Sequence, residues 1–257
     1  MHFVVAVPAR LESSRLPGKV MADIGGRPML RRVLERCAHA QCPSAVVLCT
    51  DREELVEVAG QWGFSALATS PGCSSGSERI ASVVEQIVAL SAAPVQHTVI
   101  LNVQGDQPFI NPQTIDRMAQ EFLRRGPDTQ VLTPVYRLSA DKVHNPNVVK
   151  TLVSADGRAL YFSRSAIPHV RDVDPAQWHA HAPYWGHVGI YGYRADVLAR
   201  WSQLPSSPLE AVEKLEQLRL LEAGIGIDTF PVKGDSLSVD TPEQLEQARA
   251  LAAQEEG

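Results

Sequence analysis

The first half of the chain alternates short apolar runs with amphipathic segments, and this alternation is the feature that most restricts the fold. Runs such as HFVVAVPA and HTVILNVQGD are typical of strands buried on both faces of a parallel sheet. Between them, segments such as PMLRRVLERCAHA carry apolar residues at helical spacing. The repeated strand–helix order predicts an α/β fold with a mostly parallel sheet flanked by helices. Ligands of such sheets bind beyond the carboxyl ends of the strands.

The second half has a different pattern. NVVKTLVSADGRALYFSR reads as an antiparallel hairpin, because Asp156-Gly157 is a turn dipeptide. PLEAVEKLEQLRLLEAG predicts one long helix, and TPEQLEQARALAAQ predicts a last helix capped by Thr241. We therefore expect a single domain over residues 1–257, with an antiparallel and loop-containing insertion at about 130–200.

Composition excludes several classes of protein. A net charge of −5 argues against a general nucleic-acid binder, so any site for a polyanion must be local. The sequence contains no apolar run long enough to cross a bilayer, and its opening run does not resemble a signal peptide. The four cysteines form no C-x-x-C pair, which indicates free thiols and a cytoplasmic location.

The loop after the first apolar run, ARLESSRLPGK, contains Arg10, Arg15 and Lys19. It ends in Gly-Lys as a P-loop does, but Ser13 replaces the first glycine of that motif and Val20 replaces its hydroxyl residue. A P-loop ATPase is therefore not expected. Three cations at the ligand-binding edge of an acidic protein favour phosphate binding over a merely solvated basic loop.

Two further segments carry candidate site residues. Asp106 directly follows a buried apolar run in NVQGDQP, and Asp240 precedes the last helix in LSVDTPEQL. Each could simply cap a turn, but two carboxylates beside a cationic loop describe a site for a metal and a triphosphate. In CSSGSER, small residues permit close approach to a base or a phosphate, whereas the simpler interpretation is a helix start capped by Ser77.

Seven segments stand out in chain order: PARLESSRLPGK, SGSER, NVQGDQP, YFSRSAIP, HVGIYGYR, SPLEAVEKLEQLR and VDTPEQLEQAR. This is the order found in the 3-deoxy-manno-octulosonate (Kdo) cytidylyltransferase family, which the chain resembles over nearly its whole length. The resemblance implies a Rossmann-like nucleotide-diphospho-sugar transferase fold with a small antiparallel dimerisation insertion, and hence a homodimer. It also implies transfer of CMP from CTP to the anomeric hydroxyl of Kdo, releasing pyrophosphate, for lipopolysaccharide biosynthesis.

The resemblance also implies roles for individual residues. Arg10, Arg15 and Lys19 would hold the triphosphate, and Asp106 and Asp240 would ligate Mg²⁺. Residues implied to border the cytidine are Ser74, Gly76 and Arg79. Residues implied to form the sugar pocket are Gln104, Arg164, His187, Tyr191, Glu216 and Gln217.

Three positions depart from the family pattern, and they keep the substrate open. Gln107 stands where an acidic residue is usual, Cys73 where histidine is common, and Gly186 where arginine is common. The change at Gly186 alters the charge beside the sugar pocket. A modified Kdo or another acid sugar, such as a sialic-type sugar, is therefore an alternative substrate. A non-catalytic CTP-binding dimer is the more distant alternative.

Overall fold

The computed structural model describes residues 1–13, 15–234 and 237–255. The strands, in chain order, are β1 His2–Ala9, β2 Asp23–Ile24, β3 Arg27–Pro28, β4 Pro43–Thr50, β5 Ser65–Ala68, β6 Thr98–Asn102, β7 Val131–Arg137, β8 Lys150–Val153, β9 Ala159–Ser163, β10 Trp185–His187, β11 Tyr191–Arg194 and β12 Ile227–Pro231. The helices are α1 Met29–Ala38, α2 Glu53–Gln61, α3 Gly76–Ala81, α4 Val84–Ser91, α5 Pro112–Arg125, α6 Ala140–Val143, α7 Trp178–His181, α8 Ala195–Leu198, α9 Pro208–Glu213, α10 Leu218–Glu222 and α11 Pro242–Glu255.

The chain divides into two compact units. The first contains Met1–Gln120, Gly192–Ser202 and Ser236–Gly257, and the second contains Glu121–Tyr191 and Gln203–Asp235. The interpretation as one domain with an insertion at about 130–200 stays a prediction.

The first unit is built on a parallel sheet with the strand order β5–β4–β1–β6. Val5 of β1 lies between Val46 of β4 and Leu101 of β6. Phe3 to Ala9 are all buried, which explains why β1 is an unbroken apolar run. Helices α1 to α4 pack against these strands. The predicted α/β class with a mostly parallel sheet is confirmed.

The carboxyl-terminal helix α11 completes the core of the first unit. Leu245, Ala248 and Ala252 form a buried cluster with Met29 and Ile24. The helix begins with a reciprocal cap, because the Gln244 N–H donates to Thr241 Oγ1 and the Gln244 side chain accepts from the Thr241 N–H. The predicted Thr241 cap is confirmed.

The second unit contains most of the antiparallel pairs, although β2 and β3 of the first unit also pair antiparallel. β10 pairs with β7 and β8, and β8 pairs with β9, all antiparallel. The predicted hairpin is confirmed, and Gly157 in its turn has φ of 85°. Strand β12, which the sequence pattern did not predict, pairs in parallel with β7.

One helix prediction was wrong. PLEAVEKLEQLRLLEAG forms two short helices, α9 and α10, because Lys214 adopts a left-handed conformation with φ of 55°. Tertiary hydrogen bonds explain the break, since the Glu213 carboxylate accepts from Ser163 Oγ and from the Arg164 N–H. A helical pattern in sequence cannot reveal such contacts.

None of the described helices is long and apolar enough to cross a membrane. The four cysteines carry free thiols, and burial raises the pKa of Cys49 to about 12.

Candidate active site

A cavity of about 220 Å³ lies where β1 and β6 end in the first unit. The parallel direction of these strands places their carboxyl ends at one edge of the sheet. Eight residues with a predicted role in the site line this cavity: Arg10, Lys19, Ser74, Gly76, Arg79, Gln104, Asp106 and Asp240.

The opening loop carries Lys19 on a short 3-10 turn, Lys19–Met21, that starts after Gly18. Gly18 has φ of 65°, a left-handed conformation that glycine adopts without strain. Its N–H donates to Leu11 O and its carbonyl accepts from the Met21 N–H, so the loop is fixed at both sides of the turn. Val20 is buried beside Lys19 and anchors the turn. This turn therefore presents Lys19 to the cavity.

Two distant segments bring Asp106 and Asp240 together. Asp106 lies in the tight turn after β6, and its carbonyl accepts a 2.9 Å hydrogen bond from the Val239 N–H. Val239 is fully buried in the α11 core cluster, so the residue that follows it is held at this edge. Gly105 permits the turn, because a Cβ there would lie 3.0 Å from the carbonyl oxygen of Pro8.

Lys19 lies between the two carboxylates. Its Nζ is 2.7 Å from Asp106 Oδ2 and 2.7 Å from Asp240 Oδ1. A second cation, Arg15, reaches Asp240 Oδ2 at 3.1 Å from NH2, although Arg15 itself is largely exposed. Two cations and two carboxylates thus form a compact cluster, with the lysine as its least exposed member at 14%.

The charges of this cluster shift the pKa values of its members. Burial alone would lower the pKa of Lys19, but contact with the Asp106 and Asp240 carboxylates outweighs it and raises that pKa above its ordinary value. Burial opposes the charge of Asp240 as well, yet Lys19 and Arg15 lower its pKa overall. Both groups are therefore held in their charged forms.

The CSSGSER segment forms another wall of the cavity and starts helix α3. Ser75, not Ser77 as predicted, is the cap: its Oγ accepts from the Glu78 N–H. The Glu78 carboxylate in turn accepts from the Ser74 N–H at 2.7 Å, which ties the residue before the cap to the first turn of the helix. Gly76 makes a close approach, since a Cβ there would lie 3.1 Å from both Gln104 Oε1 and Pro8 Cγ.

Arg79 is a buried cation in the same segment and also lines the cavity. Its guanidinium donates to Thr69 Oγ1 at 2.5 Å and to Asp51 Oδ2 at 3.2 Å. Asp51 directly follows β4, so this ion pair ties the start of α3 to the same edge of the sheet. The hydrogen bonds from Arg79 to Asp51 and Thr69 were not anticipated from the sequence.

A buried polar chain runs behind the cavity and positions Gln104. The Gln104 amide donates to Asn102 Oδ1 at 3.0 Å, and the Asn102 amide donates to Ser77 Oγ at 3.2 Å. Ser77 Oγ is also 3.0 Å from the hydroxyl of Tyr193. Asn102 was overlooked in the sequence, although an asparagine ending a fully apolar strand was the available signal.

In the second unit, His187 is half-buried among aromatic rings. Its ring centroid lies 5.1 Å from those of Phe162 and Tyr191, and its Nε2 is 3.1 Å from Thr133 Oγ1. Burial lowers the pKa of His187 to about 3. The imidazole is therefore neutral at physiological pH and can serve as a hydrogen-bond partner. Two residues predicted for the sugar pocket, His187 and Tyr191, are in contact.

Arg164 is held by main-chain carbonyls in the second unit. Its Nε donates to Glu213 O at 2.8 Å and its NH1 to Pro146 O at 3.2 Å. The Lys150 ammonium donates to the carbonyl oxygens of Asn145, Val148 and Arg164 at 2.5 to 2.8 Å.

Glu216 is half-buried, and Gln217 is buried at the start of α10. Gln217 Nε2 has no hydrogen-bond partner among the described residues.

The three departures from the family pattern fall in different surroundings. Cys73 is half-buried in the cavity wall. Gln107 is buried, and its Oε1 has no hydrogen-bond partner within the described ranges. Gly186 lies against Tyr136 and Leu138, where an added Cβ would come within 2.6 Å of both side chains. A larger residue at position 186 would therefore require this packing to change.

Comparison with known proteins agrees with this geometry. The sequence model of the cytidylyltransferase family matches residues 4–237. A 3-deoxy-manno-octulosonate cytidylyltransferase of Myxococcus xanthus is 41% identical over 96% of this chain and 95% of its own length. The protein of that name from Escherichia coli is 40% identical, covering 98% of this chain and 96% of its own.

A solved structure leads to the same family. It is a CMP:2-keto-3-deoxy-manno-octonic acid synthetase complexed with CTP, and it superposes with a TM-score of 0.89 at 40% identity. The match covers 99% of this chain and 100% of the other. The Rossmann-like transferase fold expected from the sequence is thereby confirmed, and the chain belongs to the 3-deoxy-manno-octulosonate cytidylyltransferase family.

Proposed function

We propose that this protein transfers CMP from CTP to the anomeric hydroxyl of Kdo, giving CMP-Kdo for lipopolysaccharide biosynthesis and releasing pyrophosphate. The observation that carries the proposal is the cluster of Lys19, Arg15, Asp106 and Asp240 at one end of a 220 Å³ cavity. Cations that neutralise phosphates and carboxylates that bind a metal are the two requirements of nucleotidyl transfer.

In this proposal the opening loop binds the triphosphate. Arg10 lines the cavity, and Arg15 is 62% exposed, so both guanidinium groups are accessible to phosphate oxygens. With Lys19 they would neutralise the charge that builds on the leaving pyrophosphate. Ser74, Gly76 and Arg79, which line the cavity, would border the cytidine.

The residues also fit a divalent metal. Asp106 and Asp240 already hold one cation, the Lys19 ammonium, at 2.7 Å each. Mg²⁺ is commonly bound by one or two carboxylates together with substrate phosphates, so this pair would hold it. When bound, Mg²⁺ would lower the pKa of the attacking hydroxyl and offset charge on the phosphates. The protein itself would contribute mainly orientation and electrostatic stabilisation.

The residues that we propose for sugar binding are those implied by the family resemblance: Gln104, Arg164, His187, Tyr191, Glu216 and Gln217. The neutral imidazole of His187 suits a sugar hydroxyl, and Gln217 Nε2 is a donor that lacks a partner within the described ranges. Arg164 is a candidate partner for the sugar carboxylate because its guanidinium orientation is fixed by Glu213 O and Pro146 O.

One observation favours a second candidate substrate. The packing of Tyr136 and Leu138 against Gly186 leaves no room for the arginine common at that position in the family. We therefore keep a modified Kdo, or another acid sugar, as the alternative acceptor.

The experiment is a panel of initial rates. Pyrophosphate release from CTP with Mg²⁺ is measured with Kdo, an amino-substituted Kdo and a sialic acid at equal concentrations. We expect Kdo to give the highest kcat/KM. A higher value for another sugar would replace the substrate, whereas CTP binding with turnover on none of them would favour the non-catalytic alternative.

We also propose a homodimer in the cytoplasm. Leu160 on β9, the strand at one end of the sheet order, is 62% exposed, and Val212 on α9 is 81% exposed. Exposed apolar side chains and strands at the end of a sheet are both typical of subunit contacts. Sedimentation equilibrium should give a dimer mass, and Leu160→Asp should shift it toward the monomer. A monomeric wild-type protein would overturn this part of the proposal.

A further inference from the structure

The Lys19 ammonium contacts both carboxylates that would hold a metal ion. Of the four oxygens of Asp106 and Asp240, two contact Lys19 at 2.7 Å and a third contacts Arg15 at 3.1 Å. A cation bound by both carboxylates would lie within a few ångströms of the Lys19 charge, and like charges at that distance repel strongly in a partly buried site. Lys19 and a divalent cation therefore compete for the same carboxylates.

The charges of the cluster balance without any ligand. Lys19 and Arg15 carry two positive charges, and Asp106 and Asp240 carry two negative charges. A dication entering alone would leave the cluster with an excess of positive charge. A bound triphosphate supplies negative charge that offsets this excess. Its oxygens attract both cationic side chains and thereby free the carboxylates.

We propose that Lys19 is an internal counter-ion that keeps divalent cations out of the Asp106–Asp240 site until a nucleotide triphosphate draws its ammonium away. The inference rests on the proposed function, in which the same loop binds CTP. It makes metal binding conditional on nucleotide binding, so the two ligands favour each other's binding by the same factor. Lys19 thus acts first on the carboxylates and then on the phosphates.

The test measures Mn²⁺ binding to the nucleotide-free protein by electron paramagnetic resonance of the free ion. We expect Lys19→Met to bind Mn²⁺ about 10-fold or more tightly than wild type, the scale of one lost charge-assisted contact. Lys19→Arg keeps the charge and should remain close to wild type. Lys233→Met, which removes an exposed lysine outside the cavity, is the matched control.

A double variant identifies the site. Adding Asp106→Asn to Lys19→Met should abolish the gained affinity. Equal Mn²⁺ affinity of Lys19→Met and wild type, or a gain that persists in the double variant, would overturn the proposal. Lys19→Gln provides a second neutral variant should the methionine unfold the loop, and circular dichroism verifies the fold of each. No CTP or sugar is present, so failure of the proposed reaction would be detected separately, in the pyrophosphate assay.

Discussion

Gly186 offers the sharpest structural prediction, because its surroundings fix both the sign and the size of the effect. In Gly186→Ala the new Cβ would lie 2.6 Å from Leu138 Cδ2 and from two carbon atoms of the Tyr136 ring. The Tyr136 ring is buried, so moving it would disturb the packing around it. Overpacking of this kind typically costs about 1–3 kcal/mol. For a chain of this length, each kcal/mol lowers Tm by roughly 2–4 °C.

The assay is urea unfolding followed by circular dichroism, with Gly226→Ala as the control. Gly226 belongs to the same unit and has open space around its Cβ position, so we expect no loss of stability there. Replacing Tyr136 with leucine should relieve most of the cost of Gly186→Ala, and the double-mutant cycle measures that coupling. If Gly186→Ala unfolds within about 0.5 kcal/mol of wild type, the packing argument is wrong.

Three further predictions concern charged and polar groups. Asp106→Ala should reduce kcat by about 100-fold or more with little change in Tm, measured by pyrophosphate release, and a near-normal kcat would remove Asp106 from the site. Burial lowers the pKa of His187 to about 3 in the folded protein, so the unfolded chain binds a proton there first as pH falls below 6.5. The free energy of unfolding should therefore decrease as pH falls from 6.5 toward 3. Wild type should therefore lose more stability than His187→Gln between pH 7 and pH 5 in urea titrations, and equal losses would contradict the shift. Lys150→Met leaves three carbonyl oxygens without their donor, so a loss of about 3 kcal/mol or more is expected, and an unchanged urea midpoint would refute it.

Much of the fold could be read from sequence because its determinants are local. The apolar run of β1 requires burial on both faces, and the Asp156-Gly157 turn specifies the β8–β9 hairpin. The break at Lys214 could not be predicted, since it depends on hydrogen bonds that the Glu213 carboxylate accepts from residues about 50 positions away. β12 was missed for a related reason: its pairing partner β7 lies far away along the chain.

Part of the candidate site could likewise be predicted from the sequence, and part could not. The cationic loop and Asp106 could be recognised from their positions after buried strands. The contact of Lys19 with both carboxylates could not, because it depends on the Val239–Asp106 hydrogen bond between segments more than 100 residues apart. The support given to Arg79 by Asp51 and Thr69 is likewise visible only once the strands are aligned.

Product analysis tests CMP transfer from CTP to Kdo most directly. The protein is incubated with CTP, Kdo and Mg²⁺, and the nucleotide products are identified by mass spectrometry while pyrophosphate is quantified. We predict CMP-Kdo and pyrophosphate in equal amounts, with neither formed when Kdo is omitted. Absence of CMP-Kdo while the protein remains folded and binds CTP would contradict the account.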